Sequence, residues 1–128
     1  MRIGLAMTDI NSFRDLFVWQ KSMALAEHCY LLTKRFTLDD QLVLGREIRK
    51  SCVSVPSNIA EGYGRHHTLE YVHHLRYSTG SNNELQTQVE LAKRVKIIRV
   101  EDAATIIRDA EEVGRMLNGL IGSLEPRR

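Results

Sequence analysis

The last quarter of the chain carries the periodicity that most constrains its fold. Between Ala103 and Leu124, apolar residues recur at intervals of three, one and three positions, which places them on one face of an α-helix. Glu101 and Asp102 favour the positive end of the helix dipole, and Pro126 marks the end of the pattern. The spacing therefore predicts an amphipathic helix with a wide apolar face that must be buried.

A second helix is predicted in the middle of the chain, ahead of the glycines at positions 62 and 64. Thr37 is followed three residues later by Asp40, which is the pattern of an N-terminal capping box. Apolar residues then recur every three or four positions from Leu44 to Ile59. Gly62 follows this run and signals where the helix ends.

Pro56 lies inside this second helical pattern. Because proline lacks a backbone N–H, we expect the helix to be kinked or split near Ser54 and Val55. Ser54, Ser57 and Asn58 are short polar residues that can satisfy the carbonyl group left without its partner.

The first predicted helix begins at Ser12, where Asp15 completes another capping box, and it is apolar on most of its circumference. A helix that is apolar on most sides needs cover on most sides, and one bundle core covers only one of them. This helix therefore predicts a surface that meets a partner. Its three apolar sectors are Leu16, Trp19, Met23, Ala26 and Tyr30; Val18, Leu25, Cys29, Leu32 and Phe36; and Phe13, Phe17, Ala24 and Leu31.

A third helix is predicted from a cap at Thr68 to about Arg94, with a small and polar middle at residues 78–83. One interpretation is a weak helix interrupted at Gly80, since glycine costs about 1 kcal/mol relative to alanine. The other is close contact of Gly80 and Ser81 with a neighbouring molecule. The candidate residues for an oligomer interface are therefore Phe13, Phe17, Trp19, Gly80 and Ser81.

Four helices with short connections predict an all-α fold, an antiparallel up-and-down four-helix bundle. We expect the bundle domain at residues 12–124, a flexible N-terminal segment at 1–11 and a C-terminal tail at 125–128. No run approaches the roughly 20 apolar residues of a membrane span, and the first six residues do not fit a secretory signal. These features predict a cytoplasmic protein with no membrane partner.

The sequence supplies no catalytic constellation. Cys29 and Cys52 both lie among apolar positions, so we expect small buried side chains and not reactive thiolates. Glu70 and His73 form one Glu-x-x-His pair, which is half of a di-iron site. We therefore expect no enzymatic activity, no cofactor and no metal site, with a metalloenzyme built on this pair as a remote alternative.

Basic residues cluster weakly around the second and third helices. The formal net charge of +2 is too small to imply nucleic acid, and acidic residues such as Glu47 are interleaved, which favours a solvated, self-paired face. Several assembled copies would add their patches into one field, so phosphate contact stays open as an alternative. The candidates for it are Arg46, Arg49, Lys50, Arg65 and Arg76.

Residues 48–65 resemble the signature of a bacterial family usually called the four-helix bundle protein family. Some members are encoded by intervening sequences inside large-subunit ribosomal RNA genes, and older descriptions called them ribosomal proteins. Residues 13–21 and 80–88 resemble the family segments F-x-D-L-x-V-W-x-K and G-S-x-x-E-L-x-T-Q, so the likeness spans about residues 12–122. The core of the signature, Ser-x-Pro-x-Asn-Ile-Ala-Glu-Gly, consists here of Ser54, Pro56, Asn58, Glu61 and Gly62 with their neighbours.

The resemblance implies a short antiparallel bundle that assembles as a homopentamer without established enzymatic activity. A more distant similarity to the accessory proteins of diversity-generating retroelements implies the alternative of nucleic-acid binding. We therefore expect a homo-oligomeric interaction module. Two positions depart from the family pattern, because Glu47 stands where Gln is usual and Asn82 where a larger apolar residue is usual.

The signature also has an interpretation in terms of its chemistry. Glu61 and Arg65 are four residues apart, which is the spacing of an ion pair on a helix. Together with the short polar residues around Pro56, this favours a structural kink held by side chains over a ligand site.

Overall fold

The structure, a computed structural model, describes residues 10–125 and contains four long helices. Helix α1 spans Phe17–Thr33, α2 Arg46–Tyr63, α3 Thr68–Arg94 and α4 Val100–Leu124. Residues 10–125 contain no strand. The predicted N-terminal segment 1–11 and C-terminal tail 125–128 lie mostly outside the described residues.

Contacts between neighbouring helices show that they are antiparallel. Ser54 on α2 contacts Ser81 on α3, and Asn58 contacts His74, so residue numbers rise along one helix as they fall along the other. The predicted antiparallel up-and-down bundle is therefore confirmed. The same reversal holds for Arg49–Thr33 and Cys52–Ala26 between α1 and α2, Asn82–Ala110 and Arg76–Glu125 between α3 and α4, and Arg35–Asp102 and Lys21–Asp109 between α1 and α4.

The core uses one face of each helix. On α4 the buried side chains lie on the face that the spacing predicts: Ala103, Ile106, Ala110, Val113, Leu117 and Ile121. One of the three apolar sectors of the first predicted helix is buried throughout. It consists of Val18, Leu25, Cys29, Leu32 and Phe36. Of the other two sectors of α1, one is partly covered, with Ala26 buried and Leu16 and Trp19 packed against the core, and the other lies mostly at the surface.

The capping box at Ser12 forms, but it begins a short turn and not α1. The Ser12 hydroxyl accepts from the backbone N–H of Arg14, and the Asp15 carboxylate accepts from the N–H of Ser12 at 3.1 Å. These bonds close a 3-10 turn over Phe13–Asp15. Leu16 is extended and packs against the core, so α1 begins one residue later.

Thr37 also caps as predicted, but the helix that follows it is irregular. Its hydroxyl accepts from the backbone N–H of Asp40 at 3.2 Å and starts a helical turn at Leu38–Asp40. A π-helical segment, Gln41–Gly45, then leads into α2. The irregularity of the second helical region therefore lies before α2.

Helix α2 runs through Pro56 without a break. Of the two predicted alternatives near Ser54 and Val55, the split is therefore wrong and the kink stays a prediction. Proline removes one N–H donor from the helix, and contacts with α3 hold the backbone on this turn. The Ser78 hydroxyl donates to the carbonyl oxygen of Val55 at 2.7 Å, and Ser54 bonds to Ser81.

Helix α3 is likewise continuous, so Gly80 does not interrupt it. Thr68 is its first residue and does not cap it, because the capping position is His67, whose side chain makes no cap hydrogen bond. The small polar residues in the middle of α3 are packed against neighbouring helices. Ser78 and Asn82 are buried, and each donates to a carbonyl oxygen of the adjacent helix.

Asn82 carries an unpaired polar atom in the core. Its side chain is 1% exposed, and its Nδ2 donates to the carbonyl oxygen of Ala110 at 2.8 Å. Its Oδ1 has no hydrogen-bond partner within the described residues. A buried polar atom without a partner costs about 1–3 kcal/mol, which exceeds the typical net gain of one hydrogen bond.

We predict that Asn82→Leu raises the free energy of unfolding by about 1 kcal/mol. Leucine keeps the branched shape of asparagine and removes the unpaired acceptor. Urea denaturation followed by circular dichroism measures the change. Asn83→Leu, at the exposed neighbouring position, is the control and should raise stability only by the few tenths of a kcal/mol that the higher helix propensity of leucine gives. A loss of stability in Asn82→Leu would show that the Nδ2 bond outweighs the orphaned oxygen.

Candidate interaction surfaces

A row of small and polar residues on α2 faces α3. Ser54, Asn58 and Gly62 are spaced four residues apart, so they form one ridge along the helix. All three contact α3 or would contact it with any larger side chain. We call the contact zone of these three residues with α3 the α2–α3 seam.

Side-chain hydrogen bonds run across this seam as a chain. The Asn58 Nδ2 donates to the hydroxyl and the carbonyl of Ser54, at 3.1 and 3.0 Å. The Ser54 and Ser81 hydroxyl oxygens are 2.7 Å apart. At the other end, the His74 Nδ1 lies 3.2 Å from the Asn58 Oδ1. Because that oxygen can only accept, the Nδ1 carries the proton.

Gly62 permits the closest approach of the two helices. A Cβ atom on it would lie 2.9 Å from the Cβ of His74 and 3.1 Å from the backbone oxygen of Tyr71. Burial raises the pKa of Tyr71 to about 12, and its ring lies edge-on to Tyr63 at 6.1 Å. The last turn of α2 is therefore tightly packed against the first turns of α3.

The predicted ion pair at the end of α2 is confirmed. The Arg65 guanidinium lies 2.6 Å from the Glu61 carboxylate and 3.6 Å from that of Glu70. All three side chains are exposed, so the pairs contribute little to stability. These ion pairs link the C-terminal end of α2 to the first turn of α3.

These contacts explain most of the signature as helix packing. The hypothesis that short polar residues satisfy the carbonyl freed by Pro56 is wrong. Asn58 bonds to Ser54, Ser54 bonds to Ser81, and Ser57 is exposed. The sequence interpretation also missed His74, although a polar residue opposite a row of small side chains would have been the signal.

Pro56 faces away from the seam and borders an apolar groove between α1 and α2, which we call the α1–α2 groove. The groove has a volume of about 590 Å³. Glu27 supplies its only ionisable carboxylate. Its lining is Phe13, Trp19, Met23, Ala26, Glu27, Tyr30, Leu31, Val53, Pro56, Ser57 and Ala60.

Three of the five candidate interface residues, Phe13, Phe17 and Trp19, lie at or just before the N-terminal end of α1. The ring of Phe13 packs edge-on against Trp19 with the centroids 5.2 Å apart, and both line the α1–α2 groove. Phe17 does not join them and is 67% exposed. Met23, Tyr30, Leu31 and Val53 are exposed as well. We refer to Phe17, Met23, Tyr30, Leu31 and Val53 together as the exposed apolar face.

The other two candidates, Gly80 and Ser81, behave differently from each other. A Cβ atom on Gly80 would meet nothing within 4 Å, so nothing in the described chain requires glycine there. Ser81 is half-buried and belongs to the α2–α3 seam through its bond to Ser54. Only Gly80 therefore stays available for close approach by another molecule.

The structure separates the five basic candidates into three groups. Arg49 turns inward and donates to the Thr33 hydroxyl at 3.2 Å and to a backbone oxygen at 3.3 Å. Arg65 and Arg76 are held in ion pairs. Arg46 and Lys50 are exposed one turn apart on α2, and no ion pair of the described residues involves them.

The residues considered for a metal site are engaged elsewhere. The His73 ring packs against Tyr77 with centroids 4.7 Å apart, and Glu70 pairs with Arg65. Within residues 10–125, no group of three or more His, Cys, Asp or Glu side chains could hold a metal ion. In the same range, no helix is both long enough and apolar enough to cross a membrane.

Comparison with known proteins gives a family and a structural relative. The sequence pattern of the family described as 23S rRNA-intervening sequence protein matches residues 14–119. A crystal structure from Bacteroides thetaiotaomicron VPI-5482, described as a protein with unknown function from the S23 ribosomal protein family, superposes with a TM-score of 0.76. The two chains are 26% identical over 81% of this chain and 97% of the other. No curated protein matches significantly.

We predict that Gly62→Ala lowers the free energy of unfolding by about 1–3 kcal/mol, because the added methyl group meets a backbone oxygen that cannot move freely. Gly119→Ala is the matched control. It lies inside α4, where the new Cβ meets nothing within 4 Å, so it should raise stability by about 0.5–1 kcal/mol. Thermal or urea unfolding of both variants measures the change in the free energy of unfolding. Equal changes in the two variants would contradict the packing role of Gly62.

Proposed function

Because this chain belongs to the 23S rRNA-intervening sequence protein family, we propose that it is a non-enzymatic, cytoplasmic interaction module that assembles with further copies of itself into a ring. The observation that carries this proposal is the exposed apolar face, four of whose five residues also line the α1–α2 groove. Folding of one chain buries one sector of α1, covers a second only in part, and leaves Phe17, Met23, Tyr30 and Leu31 exposed. Contiguous apolar surface of this kind usually marks an interface.

The composition of the exposed apolar face favours a protein partner. It contains Phe17, Met23 and Tyr30, which are large side chains of types enriched in protein interfaces, and the aliphatic Leu31. Gln20 and Glu27 are the only polar residues on the same exposed side of α1. An aromatic or aliphatic side chain from another copy would find an apolar groove next to it.

A ring requires two different surfaces on each copy, because its contacts are heterologous. The segment before α2 offers a second apolar surface. Leu38, Leu42 and Val43 are all exposed there, in the short turn and the π-helical segment. The number of five copies rests on the family resemblance alone. Gly80, which is open on its outer side, allows a neighbouring backbone to approach α3.

The absence of enzymatic activity is supported by how the reactive side chains are used. Cys29 and Cys52 are buried, and Glu70 and His73 contact other side chains of this chain. None of these four residues lines the α1–α2 groove.

We predict that the purified protein has a mass near five times 14.7 kDa in light scattering after gel filtration. Leu31→Glu places a charge in the exposed apolar face and should lower the mass to that of one chain. Leu69→Glu is the matched control, because Leu69 is also exposed but lies on α3. It should leave the assembly intact.

A mass of 14.7 kDa for the unmodified protein would end the assembly proposal, and a dimer would end the ring. If the mass falls equally in both leucine variants, the exposed apolar face is not the contact. Circular dichroism shows whether each variant keeps its helical content.

Nucleic-acid binding is the second candidate function, and the arrangement of Arg46 and Lys50 favours it. Their charged groups are exposed and without acidic partners in the described residues. The family name refers to a ribosomal RNA intervening sequence. Repetition of this pair around a ring would build a continuous positive field.

If the protein binds nucleic acid, we predict that its affinity for RNA or DNA falls steeply as the salt concentration rises. The double variant Arg46→Glu and Lys50→Glu should abolish retention on a nucleic-acid filter. Arg108→Glu combined with Arg115→Glu makes the same charge change on α4 and should reduce binding far less. Absence of binding by the unmodified protein at low salt would exclude this function.

A further inference from the structure

The connection between α3 and α4 contains a strained backbone position. Within residues 10–125, Lys96 is the only residue other than glycine with a positive φ, at 66°. Its N–H donates to the carbonyl oxygen of Lys93 at 3.0 Å, and the N–H of Ile97 donates to that of Ala92 at 2.8 Å, which is a Schellman motif. Glycine adopts this conformation without steric cost, whereas a residue with a Cβ is strained. The fold alone therefore favours glycine at position 96.

The Lys96 side chain forms no ion pair that would offset this strain. It is exposed, and no ion pair within residues 10–125 involves it. The neighbouring cations Lys93, Arg94 and Arg99 are already paired with carboxylates of α3 and α4. A strained residue with an unpaired charge points to a contact with another molecule.

Exposed aliphatic side chains lie on both sides of Lys96 in the chain. Leu91 and Val95, at the end of α3, are 49% and 55% exposed, and Val100, the first residue of α4, is 66% exposed. We call Leu91, Val95, Lys96 and Val100 the α3–α4 corner. This corner is an apolar surface with one unpaired positive charge.

The α1–α2 groove has the complementary character. Glu27 is exposed and is the only charged side chain of its lining. Among residues 10–125, Glu27 takes part in no ion pair. The groove is therefore an apolar surface with one unpaired negative charge.

We propose that the α3–α4 corner of one copy docks in the α1–α2 groove of a second copy, where the Lys96 ammonium pairs with the Glu27 carboxylate. This inference rests on the proposed self-assembly and names the two surfaces that meet in it. The groove lies between α1 and α2, and the corner joins α3 to α4, so each copy offers both and the contact is heterologous, as a ring requires. The apolar side chains supply buried area, and the ion pair fixes the register.

The charges favour the α3–α4 corner over the other exposed apolar segment. Residues 38–43 also contain two aspartates, which would be repelled by Glu27 in the groove. This segment lies at the same end of the bundle as the corner, because Arg35 contacts Asp102 on the first turn of α4. It stays available to extend the contact outside the groove.

The direct test uses the unmodified full-length protein, half of it labelled with nitrogen-15, at a concentration at which light scattering shows an assembly. A carbodiimide joins a carboxylate to an amine in contact with it without adding a spacer. We expect peptide mass spectrometry to find a Glu27–Lys96 amide whose two halves carry different labels, which only a link between copies gives. Glu27→Gln should remove this link.

Charge reversal tests the same pair through the strength of the assembly. Glu27→Lys and Lys96→Glu should each raise the dissociation constant of the assembly by about tenfold or more, because like charges then meet. The double variant that carries both changes should restore it. Glu111→Lys, at an exposed position of α4 outside both surfaces, is the matched control and should leave the dissociation constant unchanged.

Lys96→Gly separates assembly from folding, because the two should change in opposite directions. Loss of the ammonium weakens the assembly. Relief of the strained backbone raises the urea midpoint of the single chain, measured at a dilution that dissociates the assembly. Weaker assembly together with a lower midpoint would show a structural role for Lys96 and overturn the proposal.

An assembly that forms without the Glu27–Lys96 link, or with an unchanged dissociation constant in both charge-reversal variants, would overturn this contact and leave the proposed self-assembly standing. A link found only within one chain, or a double variant that stays as weak as the single ones, would also overturn it. A mass of 14.7 kDa for the unmodified protein at every concentration would overturn the self-assembly itself, and this contact with it.

Discussion

The close contact of α2 with α3 is the constraint on which the rest of the structure depends. Ser54, Asn58 and Gly62 form one ridge of α2 that packs against α3. The hydrogen-bond chain from Ser81 to His74 fixes the register of the two helices. Because α2 is held on that side, its Pro56 side turns toward α1. The bulky residues of α1 then meet proline and alanine there, which cannot fill the space between the helices. The groove is thus a consequence of how tightly the opposite side of α2 is packed.

The helices and the core of this protein are readable from local pattern, because burial on one side imposes a helical period on the sequence. The α4 stripe was predicted residue by residue, and the three apolar sectors of α1 were identified without a prediction of which one the core buries. The π-helical segment and the uninterrupted course of α2 through Pro56 were not predicted from the sequence. The course of α2 is supported by contacts with distant residues, such as Ser78 on the carbonyl oxygen of Val55, which spacing within one helix does not encode.

The candidate site shows the same division. The Glu61–Arg65 pair follows from spacing alone, and so does the surplus of apolar surface on α1. The basic residues illustrate the limit, since counting charges treats Arg49 and Lys50 alike. The structure uses Arg49 to tie α1 to the start of α2 and leaves Lys50 exposed. Which of these two residues makes contacts inside the molecule depends on the rotation of α2 about its axis. The contact with α3 sets that rotation.

The π-helical segment Gln41–Gly45 has a consequence for how this chain can change during evolution. A π-helical turn contains one residue more than the α-helical turn that it replaces, so it resembles a tolerated insertion. Deleting one residue there would restore α-helical bonding and rotate the preceding turn, Leu38–Asp40, by about 100° relative to α2. Leu38 would then point elsewhere while the core contacts of α2 stayed in place. Relatives that differ by one residue at this point could thus present a different surface from an unchanged bundle.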